Sequence, residues 1–296
     1  MGSSLARLSG FALLASVLAL GSVASADVHD AKSMHARTTK FSFQHKRYMF
    51  SRQGPGSIAY LPASNGADSA EPLPVVVFLH GLNEAEKENP EFDGTSLDPR
   101  LVSDELVSSE KVRPFVLAAP THSRYARGTR VMWHDFDLQA FLDSTELALS
   151  GRARIDRNNV VLVGHSGGGC NPNGGLLAPN VKLRAALAID TCLDEKTMPA
   201  LLSLAERTPV YFGYQRIVWQ RPFDEFALAC AGVHGSGGGA CRAQEFTGFG
   251  RNPHREVLRA ALSAFLPEVL PARPTPLQKA PSNVSLGASP ALPPKA

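Results

Sequence analysis

The stretch Val160-Val161-Leu162-Val163-Gly164-His165-Ser166-Gly167-Gly168-Gly169 limits what this chain can fold into more than any other. Four apolar β-formers in a row read as a strand buried on both faces, the pattern of a parallel sheet covered by helices. The run ends in Gly-x-Ser-x-Gly. Glycines at 164 and 168 let the chain reverse tightly where a side chain would crowd the turn. Such a turn lifts a serine hydroxyl above the end of a sheet, and a helix is expected to start at Gly167. The Gly167 amide would then face a negative charge developing next to that hydroxyl. A bare Gly-x-Ser-x-Gly also arises by chance in loops; the buried strand directly before it gives it weight.

The other segments supply partners for this strand. Residues 40–48 alternate as an exposed strand, residues 57–61 read as a second, and residues 62–73 are turn-forming. A buried strand over 74–79 ends in His80-Gly81-Leu82, and another over 114–120 ends in proline. Between them, residues 83–98 are polar and acidic without the glycine-centred spacing of a calcium loop, so a solvated surface loop is expected. Helical apolar spacing runs over 100–111 and over 136–149, the second closed by Gly151. After Ser166 the expected elements are a strand over 183–189 ending at Asp190, one short helix within 191–207, and a strand over 209–214. A helix within 215–231, a last strand over 242–248 and a helix over 255–265 complete the series. Strands alternating with helices predict an α/β protein with a mostly parallel central sheet and helices on both faces. No internal repeat is present.

The ends read differently. Residues 1–26 have one basic residue, Arg7, an apolar stretch over 8–23 and Ala24-Ser25-Ala26 before Asp27, the pattern of a secretory signal peptide cut after Ala26. The apolar run is short for a membrane anchor, and no other stretch is long and apolar enough to span a bilayer. Residues 27–39 are expected to be a flexible segment, 40–270 the folded domain, and 271–296, rich in Pro, Ser and Ala, a disordered tail. The 296 residues carry a formal charge of +3 with no Lys/Arg stripe, which argues against a nucleic-acid partner. Oligomeric state is not legible. A secreted or periplasmic location puts the four cysteines in an oxidising compartment. Cys230 with Cys241 closes the Gly-rich loop 231–240, leaving Cys170, just past the serine turn, to pair with Cys192, just past the next strand. These spacings do not fit a metal site.

A serine hydroxyl needs a base, and the base needs an orienting carboxylate. His254 follows the last strand and precedes the last helix, a suitable place for the base. His165 lies inside the turn, where its ring packs; His80 leads into Gly81; His122 and His134 lie in the loop after Pro120, where a pocket wall is expected. Asp190 and Asp224 both preserve the order nucleophile, acid, base. Asp190, at a strand end, is favoured. His80, Ser166, Asp190 and His254 all follow strand ends, the edge where ligands of such sheets bind.

Leu79-His80-Gly81-Leu82, Gly164-His165-Ser166-Gly167-Gly168 and the late His254 resemble the α/β-hydrolase fold. Tyr60-Leu61-Pro62 followed by residues 74–81 is similar to secreted esterases near the feruloyl esterases and polyhydroxybutyrate depolymerases. The resemblance implies a serine esterase working through an acyl-enzyme, with Leu82 and Gly167 amides forming the oxyanion hole and no metal or organic cofactor. It implies a small-molecule or polymeric ester as substrate; a serine peptidase, an acyltransferase or a non-catalytic binding protein on the same fold are the alternatives. The chain departs from these families at Gly213-Tyr214-Gln215, where they commonly place an aspartate soon after the glycine. Only a short segment separates Ile189 from Pro209, so no large lid is expected there. Trp133, His134 and Trp219 are candidates to line the pocket, although both tryptophans also suit a core.

Overall fold

The computed structural model describes residues 33–43, 56–63, 71–82, 97–121, 129–233 and 239–272. The expected signal peptide, most of the acidic loop and nearly all of the tail lie outside these residues.

Eight strands form one sheet: β1 (Thr38–Phe41), β2 (Ser57–Tyr60), β3 (Leu73–Leu79), β4 (Val116–Ala119), β5 (Ile155–His165), β6 (Ala185–Ile189), β7 (Val210–Tyr214) and β8 (Cys241–Glu245), in the order β1-β2-β4-β3-β5-β6-β7-β8. β2 is antiparallel to both β1 and β4, and every other pairing is parallel, so β2 alone runs against the rest. The helices are α1 (Pro99–Ser108), α2 (Leu138–Ala148), α3 (Thr197–Ala205), α4 (Phe223–Ala231) and α5 (Pro253–Val269). This is the α/β-hydrolase architecture expected from the sequence.

Both faces of the sheet are covered, which is why its central strands are continuous apolar runs rather than alternating ones. On β3, Val75, Val77 and Leu79 enter one core with Leu138 and Phe141 of α2, Leu201 of α3 and Phe226 of α4. Val76 and Phe78 point the other way, into a second core with Val102 and Leu106 of α1 and Val257, Leu262 and Phe265 of α5. Burying such a side chain contributes roughly 1.5–3 kcal/mol. Two aspartates start helices: Asp98 accepts a hydrogen bond from the Arg100 amide ahead of Pro99, and Asp137 from the Ala140 amide.

Several elements depart from the sequence expectation. No α-helix follows Ser166. Ser166–Gly169 is one 3-10 turn, and residues 170–184 are irregular. Pro172, Gly174 and Gly175, the last at φ 56°, cannot propagate a helix. Leu176 and Leu183 of that segment still fill the core. Residues 33–39 of the segment expected to be flexible form a helical turn (33–37) and the start of β1. Asp104 of α1 fixes that turn through a paired ion contact with Arg37 at 2.7 and 2.9 Å. The strand expected over 40–48 is β1 at Thr38–Phe41; the helix expected within 215–231 does lie there, as α4 at Phe223–Ala231. Pro271 bridges to Val112, which ties down the first residue of the expected tail.

Candidate active site

Ser166 follows the last residue of β5 with φ 52°, a conformation that disfavours any residue with a Cβ. Its surroundings hold it there. A methyl group on Gly168 would stand 2.1 Å from the Leu79 carbonyl oxygen, and one on Gly164 would stand 3.0 Å from the Gly168 carbonyl. The two glycines are therefore required by close approach of backbone to backbone. The Ser166 carbonyl accepts a hydrogen bond from the Thr191 hydroxyl at 2.7 Å.

The turn after β3 lies against the serine. A Cβ on Gly81 would fall 2.9 Å from Ser166 Oγ and 3.0 Å from the Gly167 amide nitrogen. Two donors shape this turn: the Trp133 indole N–H reaches the His80 carbonyl at 3.0 Å, and His80 Nδ1 donates to the Gly81 carbonyl at 2.6 Å. Leu82 is half-buried against the core. Trp133 is itself buried, so it belongs to the packing rather than to an open pocket wall. His134 is part-exposed, with Nε2 3.4 Å from Asp135, and His122 lies outside the described residues.

Asp190 follows β6 with φ 44°, its side chain fully buried. His254 is the second residue of α5, whose start is fixed by Glu256: its carboxylate accepts from the Gly250 amide at 2.8 Å and the Asn252 amide at 3.3 Å. From that turn His254 Nδ1 donates to Asp190 Oδ2 at 2.5 Å. An ionised carboxylate can only accept, so the proton lies on Nδ1 and a neutral ring leaves Nε2 as its basic nitrogen. Asp224, the other candidate, is on α4, 86% exposed and paired with Arg216.

His165 packs, as expected, and it packs on His254. The two rings stack with centroids 4.6 Å apart, and His165 Nε2 donates to the His254 backbone carbonyl at 3.0 Å. Full burial, with His254 beside it, pushes the His165 pKa down from its ordinary value to about 3. A neutral imidazole therefore supports the His254 ring without adding a competing positive charge.

Both cysteine pairs are at bonding distance, Cys170–Cys192 at 2.01 Å and Cys230–Cys241 at 2.04 Å. The first links the end of the serine turn to the residue two past Asp190. The second ties α4 to β8.

Some residues at this edge were not singled out from sequence. Thr129 and Met132, after β4, crowd Gly167: a Cβ there would meet Met132 Sδ at 2.9 Å and Thr129 Cγ2 at 3.2 Å. Gln215 follows β7, at the departure from the family pattern, and its side-chain N–H donates to Asp190 Oδ2 at 2.9 Å. The signal for Gln215 was its place at a strand end on the same edge as Asp190. Among the described residues no group of His, Cys, Asp and Glu side chains is arranged to hold a metal ion. Among them, too, no helix is long and apolar enough to cross a membrane.

The sequence matches no protein-family model and no curated protein. Among solved structures, several are similar to it at low identity. A thermostable esterase is 17% identical with a TM-score of 0.47, aligned over 80% of this chain, which spans 63% of that esterase's length. The BES protein from Bacillus cereus is 13% identical with a TM-score of 0.48, over 79% of this chain and 96% of that one. An IroE-like serine hydrolase from Shewanella oneidensis is 18% identical with a TM-score of 0.46, over 72% of this chain and 74% of that one. What this chain has by its own strand order and connections is the α/β-hydrolase fold.

Proposed function

We propose that the protein is a serine hydrolase that cleaves carboxylic esters, with Ser166 as nucleophile, His254 as general base and Asp190 as the acid that orients it. The observation that carries this reading is the 2.5 Å contact from His254 Nδ1 to a fully buried carboxylate, made at the same sheet edge as a serine held at positive φ. His254 Nε2 takes the Ser166 hydroxyl proton as Oγ bonds to the ester carbonyl carbon. The carbonyl oxygen becomes an oxyanion, held by the Leu82 and Gly167 amides, each worth about 3 kcal/mol in the transition state. The imidazolium then passes its proton to the departing alkoxide as the C–O bond breaks. Water, deprotonated by His254, releases the acyl group and restores the serine. Asp190 stabilises the imidazolium throughout without taking its proton. No step calls on a metal or organic cofactor.

The substrate class is a soluble or polymeric ester. This rests on the short β6–β7 connection, whose one helix is α3 and which is too small to carry a large lid. Export to the periplasm or the exterior follows from the signal-like residues 1–26 and agrees with two disulfides.

The test is labelling with a fluorophosphonate probe together with hydrolysis of short p-nitrophenyl esters. Wild-type protein should do both, and Ser166→Ala should lose the label and at least about 10⁴-fold in kcat. A label that persists on the alanine variant would place the nucleophile elsewhere. Parallel assays on peptides, and on esters with an added acceptor alcohol, separate a peptidase or an acyltransferase from an esterase. A wild-type chain inert to probe and substrates alike would be a binding protein on a hydrolase scaffold.

A further inference from the structure

Asp190 is crowded on one oxygen only. Its Oδ2 accepts from His254 Nδ1 at 2.5 Å, from the Gln215 amide at 2.9 Å and from the Trp219 indole N–H at 3.3 Å. Its Oδ1 is buried with no hydrogen-bond partner. The carboxylate is thus fixed from the side where His254 approaches, and two of its three donors come from the loop that follows β7.

The orientation of the Gln215 amide is settled by its other end. Gln215 is fully buried, and its Oε1 accepts from the Ile217 amide at 2.6 Å and from the Val218 amide at 2.9 Å. Those main-chain N–H groups can only donate, so the side-chain NH₂ must be the group on Asp190. An amide held this way donates to a carboxylate and favours its charged form. Trp219 lies four residues further on. Its ring stands edge-on to His254 at 5.9 Å, and its face is covered by the Arg221 guanidinium at 4.6 Å. Arg221 in turn donates to the Thr191 carbonyl, next to Asp190.

We propose that Gln215, seconded by Trp219, is a positioning residue: it donates to the Asp190 carboxylate and holds Oδ2 toward His254 Nδ1. The role rests on the catalytic reading above and adds to it. Gln215 acts through Asp190 and touches neither the serine nor the ester. Its effect belongs to the basicity of His254, which a buried residue with a packing role alone would leave unchanged. The groups that face this imidazole are Asp190 at the end of β6, His165 at the end of β5 and the loop carrying Gln215 and Trp219. Their sum is what the experiment reads.

The decisive variant is Gln215→Glu. It keeps the oxygen that accepts from Ile217 and Val218, so the loop retains its anchor, but it replaces the donor with a second carboxylate against Asp190. Two such groups cannot both ionise freely at neutral pH. Trp219→Phe is the milder companion, removing one N–H and keeping the ring. The measurements are the His254 titration midpoint, followed by NMR of labelled histidine in the full chain, and the pH profile of kcat and KM for a short ester. For Gln215→Glu the midpoint and the acid limb of kcat should fall together by about one pH unit, because a proton shared by the two carboxylates leaves less charge on Asp190 to hold the imidazolium. At neutral pH kcat should fall about ten- to a hundredfold with KM nearly unchanged. Trp219→Phe should move both in the same direction by less.

A folded Gln215→Glu protein with the wild-type midpoint and acid limb would overturn the proposal, as would a kcat loss that merely follows the fraction unfolded. The midpoint needs no turnover, so it separates the two readings. A wild-type chain without esterase activity whose midpoint still shifts refutes the catalytic reading and leaves the Gln215–Asp190–His254 coupling supported. An active chain whose midpoint is fixed refutes the coupling alone.

Discussion

A methyl group on Gly81 would lie 2.7 Å from Ser166 Cβ and 2.9 Å from its Oγ, closer than real side chains approach. At Gly168 the clash is with backbone, which cannot yield; at Gly81 it is with Ser166, the proposed nucleophile. Gly81→Ala is therefore expected to displace the hydroxyl. Displacement on the order of 1 Å costs about 10²-fold in rate, against about 1–3 kcal/mol of stability for the overpacking. Ester hydrolysis and urea unfolding on the same sample check this: a rate within a fewfold of wild type would show that the serine has room to move. At this scale much of the site could be read in the sequence. Ser166, Asp190 and His254 each follow a strand end, and the buried strand made Ser166 stand out. Chain order admitted Asp224 as well as Asp190, and only three-dimensional contact separates them, because Asp224 faces water on α4. Gln215 was visible as a strand-end residue where an acid is missing; nothing in its own type announces a donor aimed 25 residues back along the chain.

Among the elements, the strands were the most legible, because a strand buried on both faces has to be an apolar run and few other structures require one. The segment after Ser166 was not read correctly. Its Pro172, Gly174 and Gly175 already speak against a helix, but the usual company of the serine turn suggested one. The helical turn at 33–37 was hidden for another reason: groups far along the chain hold it, Arg152 on the Ala36 carbonyl, the Leu61 amide on the Arg37 carbonyl and, above all, Asp104. Asp104 on α1 takes two bonds from Arg37, one from the Tyr60 hydroxyl at 2.6 Å and one from the Ala63 amide at 2.9 Å. Burial alone would raise the Asp104 pKa, but the bonds from Arg37, Tyr60 and the Ala63 amide outweigh it and hold it below the usual carboxylate range. A carboxyl whose folded pKa is depressed stabilises the fold above its unfolded pKa, near 3.9, and that contribution is lost as pH falls through the folded value. Asp104→Asn should accordingly cost about 1–2 kcal/mol at pH 7, the range reflecting a cluster partly open to water. The gap to wild type should narrow below about pH 4. Urea midpoints at neutral and acid pH measure it; a gap independent of pH would mean that the charge is not what anchors the turn.

For the molecule as a whole, the two disulfides divide the labour. Cys230–Cys241 closes a short loop at the sheet edge, and Cys170–Cys192 spans the serine turn and the segment carrying Asp190. Each should stabilise the fold by about 3 kcal/mol through the unfolded chain. Replacing Cys230 and Cys241 with serine should lower the urea midpoint and leave kcat at permissive temperature unchanged. The same replacement at Cys170 and Cys192 should lower both; equal kinetics for the two double variants would show that the second bond has no part in holding the site. The location of His254 has a further consequence. It stands in the first turn of α5, the last helix described, whereas Ser166 and Asp190 directly follow β5 and β6. On a ribosome, Ser166 and Asp190 are synthesised well before His254, so under the proposed function the nascent chain is expected to stay silent until α5 docks against the sheet. Probe reactivity during synthesis or refolding is then a clock for that one docking event, not for the collapse of the strands that precede it.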